Sequence, residues 1–200
     1  MRTYSKIGIL GGSFNPIHFG HAAAAQMATE ELGLDLALFI PTRLNPLKDS
    51  SKIAAVKDRL AMCECAISKN PLFEIWEKEL EMPAPSYTVN TLDRLFTEFS
   101  AKEWYFIIGS DNLSSFVQWY KWEEILQKVN IAVCYRPNFP MDIPKELPNE
   151  RVACFEGPNW GISSSQIRKR ISERKSCKYL LDENVIKYIE KNRLYEESET

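Results

Sequence analysis

Histidine is scarce in this chain, and the features that would indicate a nucleic-acid, membrane or metal partner are missing. The 200 residues contain two histidines and carry a formal net charge of -2, so the strong positive charge of a general nucleic-acid binder is absent. No apolar run approaches the roughly 18 residues that would span a bilayer. The five cysteines lack zinc-ligand spacing, which favours reduced thiols in the cytosol. We therefore expect a cytoplasmic protein with no nucleic-acid or membrane partner.

Length and composition favour a single folded unit. The chain has 200 residues, of which 44% are hydrophobic, and this is enough to bury one sizeable core. We expect one domain over residues 1–195, followed by a frayed tail over residues 196–200.

The first part of the chain predicts a β–α–β unit. Apolar residues 6–10 and 36–40 each predict a buried strand, and the alanine-rich residues 22–31 predict a helix between them. Gly33 lies where a helix C-cap is expected. Two strands joined in this way should be parallel, with a right-handed crossover.

The rest of the chain continues to alternate between strands and helices. Helices are expected over residues 54–68, 86–99, 123–128 and 182–192, with Ser86 as a candidate N-cap, and strands over residues 73–76, 103–108, 129–135 and 151–156. Residues 79–85 and residues 137–148, which contain four prolines, are expected to form loops.

Both histidines lie in residues 11–21, which join the first predicted strand to the first predicted helix. His18 and His21 are three residues apart and so share one face of the first helical turn. Helix N-terminal amides suit a phosphate, and two imidazoles beside them could hydrogen-bond it. The alternative is that one histidine caps or packs while the other faces solvent. We favour the phosphate site because both histidines share this glycine-flanked loop, whereas two nitrogens fall short of a usual zinc site.

A second stretch, residues 161–168, combines a helix start with groups that bind phosphate. Ser163 and Gln166 fit a capping box, so a helix should begin here with or without a ligand. The hydroxyls of Ser164 and Ser165 and the guanidinium of Arg168 also suit a triphosphate, because a planar guanidinium can bridge two oxygens.

Two further loops follow predicted strands and carry polar residues. Lys48 follows the second strand and could bind a phosphate, although a loop lysine is usually only solvated. Gly109 follows the strand over residues 103–108 and permits close approach of a ligand, while Asp111 could accept hydrogen bonds from a ribose or an amino group. A plain turn or helix cap would explain residues 109–111 equally well.

Residues 11–16 read Gly-Gly-Ser-Phe-Asn-Pro and lead into His18-Phe-Gly-His21. This pattern resembles the signature of the nucleotidyltransferases that carry a His-x-Gly-His motif. Residues 162–168 resemble that superfamily's Ile-Ser-Ser-Thr-x-Ile-Arg motif, with Ser165 in place of threonine. The resemblance implies a single doubly wound, Rossmann-like α/β domain with a mostly parallel sheet and a site at the carboxyl ends of the strands.

The stretch Ser86-Tyr87-Thr88 and the later Trp119 resemble segments of bacterial nicotinate-mononucleotide adenylyltransferases. This resemblance implies an enzyme of NAD biosynthesis that transfers an adenylyl group from ATP to nicotinate mononucleotide, giving nicotinate adenine dinucleotide and pyrophosphate. The alternatives are a phosphopantetheine adenylyltransferase, a cytidylyltransferase, or a non-catalytic nucleotide-binding regulator. The preference over nicotinamide mononucleotide and the formation of a homo-oligomer stay open.

The resemblance also implies roles for individual residues. The expected catalytic residues are His18, His21 and Arg168. ATP binding is expected at Gly11, Gly12, Ser13, Phe14, Gly109, Asp111, Ser164, Ser165 and Arg168, and mononucleotide binding at Ser13, Lys48, Tyr87, Thr88 and Trp119. Magnesium should arrive with ATP and be held mainly by it, without a protein metal site. This chain departs from the family at Asn15, where aspartate is common, and at Pro46-Leu47-Lys48, where Pro-Pro-His-Lys is frequent.

Overall fold

A computed structural model describes residues 1–44, 53–135, 143–157 and 160–196. Its centre is a six-stranded sheet in the order β3-β2-β1-β4-β5-β6, and every pairing is parallel. The strands are β1 Arg2–Gly12, β2 Leu36–Pro41, β3 Phe73–Ile75, β4 Phe99–Gly109, β5 Asn130–Tyr135 and β6 Val152–Glu156. The first three strands extend from the centre of the sheet to one edge, and the last three extend from the centre to the other edge. A ligand crevice is expected where the two halves meet, between β1 and β4.

Helices cover both faces of this sheet. They are α1 Phe19–Leu32, α2 Val56–Ile67, α3 Thr88–Leu95, α4 Ser110–Leu113, α5 Trp122–Lys128, α6 Ser164–Ser172 and α7 Glu183–Lys191, with short 3-10 helices at Lys78–Glu81, Phe116–Gln118 and Asn149–Arg151. Within the described ranges, every helix is too short or too polar to cross a bilayer.

Two apolar cores result, because successive strand residues point to opposite faces. One core packs α1, α2 and α7 against strand residues that include Ala37, Phe39 and Ile107. The other packs α3 and α5 against residues that include Leu38 and Ile108. The predicted doubly wound, parallel α/β fold is therefore confirmed.

Two predicted helix boundaries are also confirmed. Gly33 ends α1 in the left-handed conformation, with φ 63° and ψ 50°. The Ser163 hydroxyl accepts a hydrogen bond from the Gln166 backbone N–H at the start of α6, at 3.2 Å.

The helix expected over residues 86–99 is shorter than its apolar pattern suggested. It ends at Leu95, and Phe99 instead opens β4, where it lies opposite Arg2 of an extended β1. Ser86 does not cap α3, since its hydroxyl accepts from the Leu44 backbone N–H at 3.2 Å. Residues 79–85, expected as a loop, begin inside the 3-10 helix Lys78–Glu81. Lys48 and the first part of the proline-rich stretch, up to residue 142, lie outside the described residues.

Candidate active site

The loop that follows β1 is held through its carbonyl groups. The Gly12 carbonyl accepts from the backbone N–H of Thr42 at 2.9 Å, and the Ser13 carbonyl accepts from Nη1 of Arg59 at 2.7 Å. Arg59 is only 1% exposed, and its Nε also donates to the Ala54 carbonyl at 3.3 Å. Burial lowers the pKa of this guanidinium. Carbonyls engaged in this way cannot turn toward the crevice, where they would repel a phosphate.

The start of α6 is bonded to the same loop. The Ser164 hydroxyl donates to the Pro16 carbonyl at 2.9 Å, and Nη1 of Arg168 donates to the Asn15 carbonyl at 2.8 Å. These pairs are 148 and 153 residues apart in sequence. Nη2 of Arg168 also lies 3.3 Å from the Ser165 hydroxyl. The two stretches that the sequence singled out therefore form one site.

His18 and His21 lie face to face at the start of α1. Their ring centroids are 3.7 Å apart with an interplanar angle of 24°. The His18 backbone N–H donates to Nδ1 of His21 at 3.2 Å, so Nδ1 acts as an acceptor. A neutral His21 then carries its proton on Nε2, which makes Nε2 a hydrogen-bond donor. Phe14 packs edge-on against the His21 ring, with centroids 5.1 Å apart.

An aromatic cluster lies on the other side of the first loop. The Trp119 ring meets the Phe106 ring edge-on, with centroids 5.8 Å apart, and a Cβ placed on Gly11 would lie 3.4 Å from Cζ of Phe106. Tyr87, just before α3, packs against Tyr120 with centroids 4.6 Å apart. Trp119 is thus separated from Gly11 by the Phe106 ring, and Tyr87, the residue before Thr88, packs against the neighbour of Trp119 in sequence.

The last predicted contact region follows β4. Gly109 is the final residue of that strand and occupies the N-cap position of α4, so Asp111 lies in the first turn of this four-residue helix. Because β4 pairs with β1, this turn and the first loop share the carboxyl edge of the sheet. Residues 109–111 therefore form a helix start, which is one of the two local structures expected for them from the sequence.

Comparison with known proteins identifies the family of this site. A family model described as Cytidylyltransferase-like matches residues 9–170, which include residues 11–21 and residues 161–168. The chain belongs to the cytidylyltransferase-like family.

Two curated relatives that are similar over nearly the whole chain carry the same name. A chain of Bacillus cytotoxicus named "Probable nicotinate-nucleotide adenylyltransferase" is 38% identical over 191 residues, covering 96% of this chain and 98% of its own. A chain of the same name from Herpetosiphon aurantiacus is 36% identical over 195 residues, covering 95% of this chain and 98% of its own. The resemblance stated from the sequence is confirmed.

Solved structures agree on the fold. The Plasmodium falciparum nicotinic acid mononucleotide adenylyltransferase complexed with NaAD has a TM-score of 0.74 and 22% identity, covering 96% of this chain and 98% of that chain. The same protein complexed with APC has a TM-score of 0.72 and 21% identity, with the same coverage. At this identity, the likeness is evidence for the architecture.

Sequence reasoning missed several residues that support the site. Asn15 is buried, and its Oδ1 accepts from the Ala54 backbone N–H at 3.0 Å and from the Tyr195 hydroxyl at 2.8 Å. Burial raises the pKa of Tyr195. Both groups donate to the side-chain oxygen of Asn15. The aspartate that is common in the family at this position would offer the same kind of acceptor, so the amide can replace the carboxylate here. The burial of Arg59 could have been predicted from the sequence. It lies three residues before Met62 and four before Cys63, and so it shares the buried face of α2 with them.

Proposed function

We propose that this chain transfers the adenylyl group of ATP to nicotinate mononucleotide, forming nicotinate adenine dinucleotide and pyrophosphate in NAD biosynthesis. The observation that carries the proposal is the bonding of Arg168 and Ser164 to the carbonyls of Asn15 and Pro16, which unites the two phosphate-binding stretches. The names of the curated relatives support the choice of acceptor.

The reaction we infer is a direct displacement at phosphorus. A phosphate oxygen of the mononucleotide forms a bond to the α-phosphorus of ATP, and the bond from that phosphorus to the bridging oxygen breaks. Pyrophosphate leaves with the electron pair. His21 is a donor rather than a nucleophile here, since Nδ1 accepts from the backbone and Nε2 carries the proton. Catalysis then depends on positioning and on stabilising charge.

The ATP side of the site is assigned to the first loop, α6 and the turn after β4. His18 and His21 would contact the α- and β-phosphates. The leaving pyrophosphate would meet Arg168, the Ser165 hydroxyl and the amides at the start of α6, near which Ser164 holds the first loop. The loop backbone at Gly11, Gly12, Ser13 and Phe14 would approach the nucleotide closely, and Gly109 and Asp111 would face the nucleoside.

The mononucleotide side is assigned to the opposite wall. Trp119 would stack on the pyridine ring, with Tyr87 beside it. Thr88 is the first residue of α3, so amides at this helix start would favour the negative charge of a pyridine carboxylate over a neutral carboxamide. The mononucleotide phosphate would meet Lys48 and Ser13, whose buried hydroxyl has no hydrogen-bond partner among the residues that the structure describes.

Magnesium is proposed as a companion of ATP. In the described part of the chain, no three His, Cys, Asp or Glu side chains come together in a way that could hold a metal. Magnesium favours oxygen ligands and retains water, so phosphate oxygens suit it better than these side chains. When bound there, it would offset charge on the phosphates.

Removing magnesium should therefore stop the reaction without affecting the fold. We expect EDTA to abolish pyrophosphate release and to leave the Tm of the nucleotide-free protein unchanged, because no protein cage is lost. Thermal unfolding with and without EDTA, beside the activity assay, measures both. A clear fall in Tm would indicate a structural metal and contradict the assignment.

Gly20 offers a test of the histidine geometry. A Cβ at Gly20 would lie 3.0 Å from Nδ1 and 3.1 Å from Cε1 of His18, closer than side chains normally pack. Gly20→Ala should therefore move the His18 ring and lower kcat by about 10-fold or more. The Tm should hold or rise, because alanine is the better helix former.

Gly33→Ala is the matched contrast to this variant. Gly33 has φ 63°, and no atom of the described segments lies within 4 Å of an added Cβ. Alanine there should cost about 1–2 kcal/mol of stability through backbone strain while kcat is unchanged. If Gly20→Ala retains full activity, the His18 ring has no role in turnover.

We also propose that the protein works in the cytoplasm with ATP and nicotinate mononucleotide as its partners. All five cysteines are free thiols, which suits a reducing compartment.

The direct test of the proposed function is product identification. Purified protein with ATP, magnesium and nicotinate mononucleotide should form nicotinate adenine dinucleotide and pyrophosphate in equal amounts, as measured by mass spectrometry and a pyrophosphate assay. Omitting the mononucleotide should stop pyrophosphate release. Release at the same rate without an acceptor would mean that ATP is hydrolysed, and the proposal would fail.

A further inference from the structure

Glu79 is a buried carboxylate that the reaction described above does not use. It lies on the 3-10 helix Lys78–Glu81 and is 4% exposed. Its Oε2 accepts from the Thr91 hydroxyl at 2.6 Å. The other buried carboxylate among the described residues, Asp58, accepts from the Tyr188 hydroxyl at the α2–α7 contact, at 2.9 Å. Glu79 instead faces the segments assigned to the mononucleotide.

The groups around Glu79 come from several segments. Burial raises the pKa of Glu79, whereas the Thr91 and Ser86 hydroxyls, the Arg43 backbone N–H and the Arg59 charge lower it. Glu79 is thus enclosed by polar groups from the loop after β2, from α2 and from the segment that leads into α3.

These donors belong to two segments that meet at Glu79. The Ser86 backbone N–H donates to the Leu44 carbonyl at 2.9 Å, and the Leu44 N–H donates to the Ser86 hydroxyl at 3.2 Å. Nη1 of Arg43 donates to the Met82 carbonyl at 2.8 Å. The loop after β2 is thus fastened to residues 82–86, which lead directly into α3.

Thr91 extends this connection into the first turn of α3. Its backbone N–H donates to the Tyr87 carbonyl at 3.2 Å, and its hydroxyl lies 3.3 Å from the same oxygen. The Glu79 carboxylate holds that hydroxyl from the other side. The position of Thr88, between Tyr87 and Thr91, follows from this arrangement.

We propose that Glu79 is a positioning residue that fixes the start of α3 against the loop after β2 and thereby sets the affinity and the carboxylate selectivity of the mononucleotide site. This inference rests on the proposed function, because it concerns the same acceptor. Glu79 acts through its hydrogen bond with the Thr91 hydroxyl and does not touch the substrate.

The test separates the two substrates kinetically. Glu79→Ala should raise the KM for nicotinate mononucleotide by about 10-fold and reduce the preference over nicotinamide mononucleotide, while the KM for ATP changes less than twofold. Glu79→Gln retains an oxygen that accepts from Thr91 and should keep most of the wild-type affinity. Glu81→Ala, at an exposed carboxylate on the same 3-10 helix, is the control and should match wild type.

A second pair of variants removes the same bond from the opposite side. Thr91→Val should reproduce the rise in KM for the mononucleotide, and Thr91→Ser should restore it, even if Glu79→Ala fails to fold. A KM that is unchanged for the mononucleotide, or that rises equally for ATP, would overturn the inference. Wild type that does not use nicotinate mononucleotide would instead overturn the proposed function, and this inference with it.

Discussion

His21→Ala is expected to lower kcat by about 10² to 10³-fold, which corresponds to about 3 kcal/mol of lost transition-state stabilisation. The reason is that Nε2 of a neutral His21 carries the proton and can donate to a phosphate oxygen, since Nδ1 accepts from the His18 backbone N–H. The KM for ATP should change much less, because charge on the α- and β-phosphates grows mainly in the transition state. Steady-state kinetics with both substrates measures the two effects.

A matched variant separates this catalytic role from the structural one. The Nδ1 of His21 also satisfies the N-cap amide of α1, so His21→Ala should cost about 1 kcal/mol of stability. His21→Gln places a side-chain oxygen at the third helical position, where glutamine normally completes a capping box. We expect it to restore the Tm and not the activity. If glutamine restores turnover as well, His21 acts only by shaping the helix start.

Arg168→Lys is expected to lower kcat/KM for ATP by about 10²-fold or more, although it preserves the positive charge. The guanidinium meets the Asn15 carbonyl and the Ser165 hydroxyl with two separate nitrogens and has further N–H groups for a phosphate. A lysine ammonium is a single point of charge and cannot hold the first loop and a pyrophosphate in one geometry. Single-turnover rates with ATP and nicotinate mononucleotide would measure the loss.

Lys169→Gln is the control for this effect. Its side chain is 76% exposed on the same helix, and its Nζ lies 3.9 Å from Oε1 of Glu173, so removing its charge should change neither kcat nor Tm. An Arg168→Lys variant with activity within a few-fold of wild type would show that the bidentate geometry is unnecessary. The link between α6 and the first loop would then be structural alone.

The alternation of strands and helices and the parallel first β–α–β unit were predictable because they depend on local patterns. The apolar runs and the Gly33 cap defined the first β–α–β unit, and the two motifs placed phosphate-binding groups after β1 and at the start of α6. The end of α3 was not predictable in this way. Phe99 continues the apolar spacing of the helix, yet its pairing with Arg2 places it in the sheet.

The supporting contacts escaped prediction for a related reason. Arg59 holds the Ser13 carbonyl across 46 residues, and Tyr195 reaches Asn15 across 180. No local pattern records such a pair, so none of the predicted site residues lay in α2. Ser86 was only a candidate helix cap, and its hydrogen-bond partner Leu44, 42 residues earlier, could not be read from the local sequence.

The most direct measurement is pyrophosphate release from ATP and magnesium with nicotinate mononucleotide, nicotinamide mononucleotide or phosphopantetheine in parallel, with His21→Ala beside each. We predict rapid release with nicotinate mononucleotide, at least 10-fold slower release with the other two acceptors, and near-loss of release in the variant. Rapid release with a different acceptor would contradict the assignment of Thr88 and Trp119. Nucleotide binding without release for any acceptor would contradict catalysis itself and indicate a nucleotide-binding regulator.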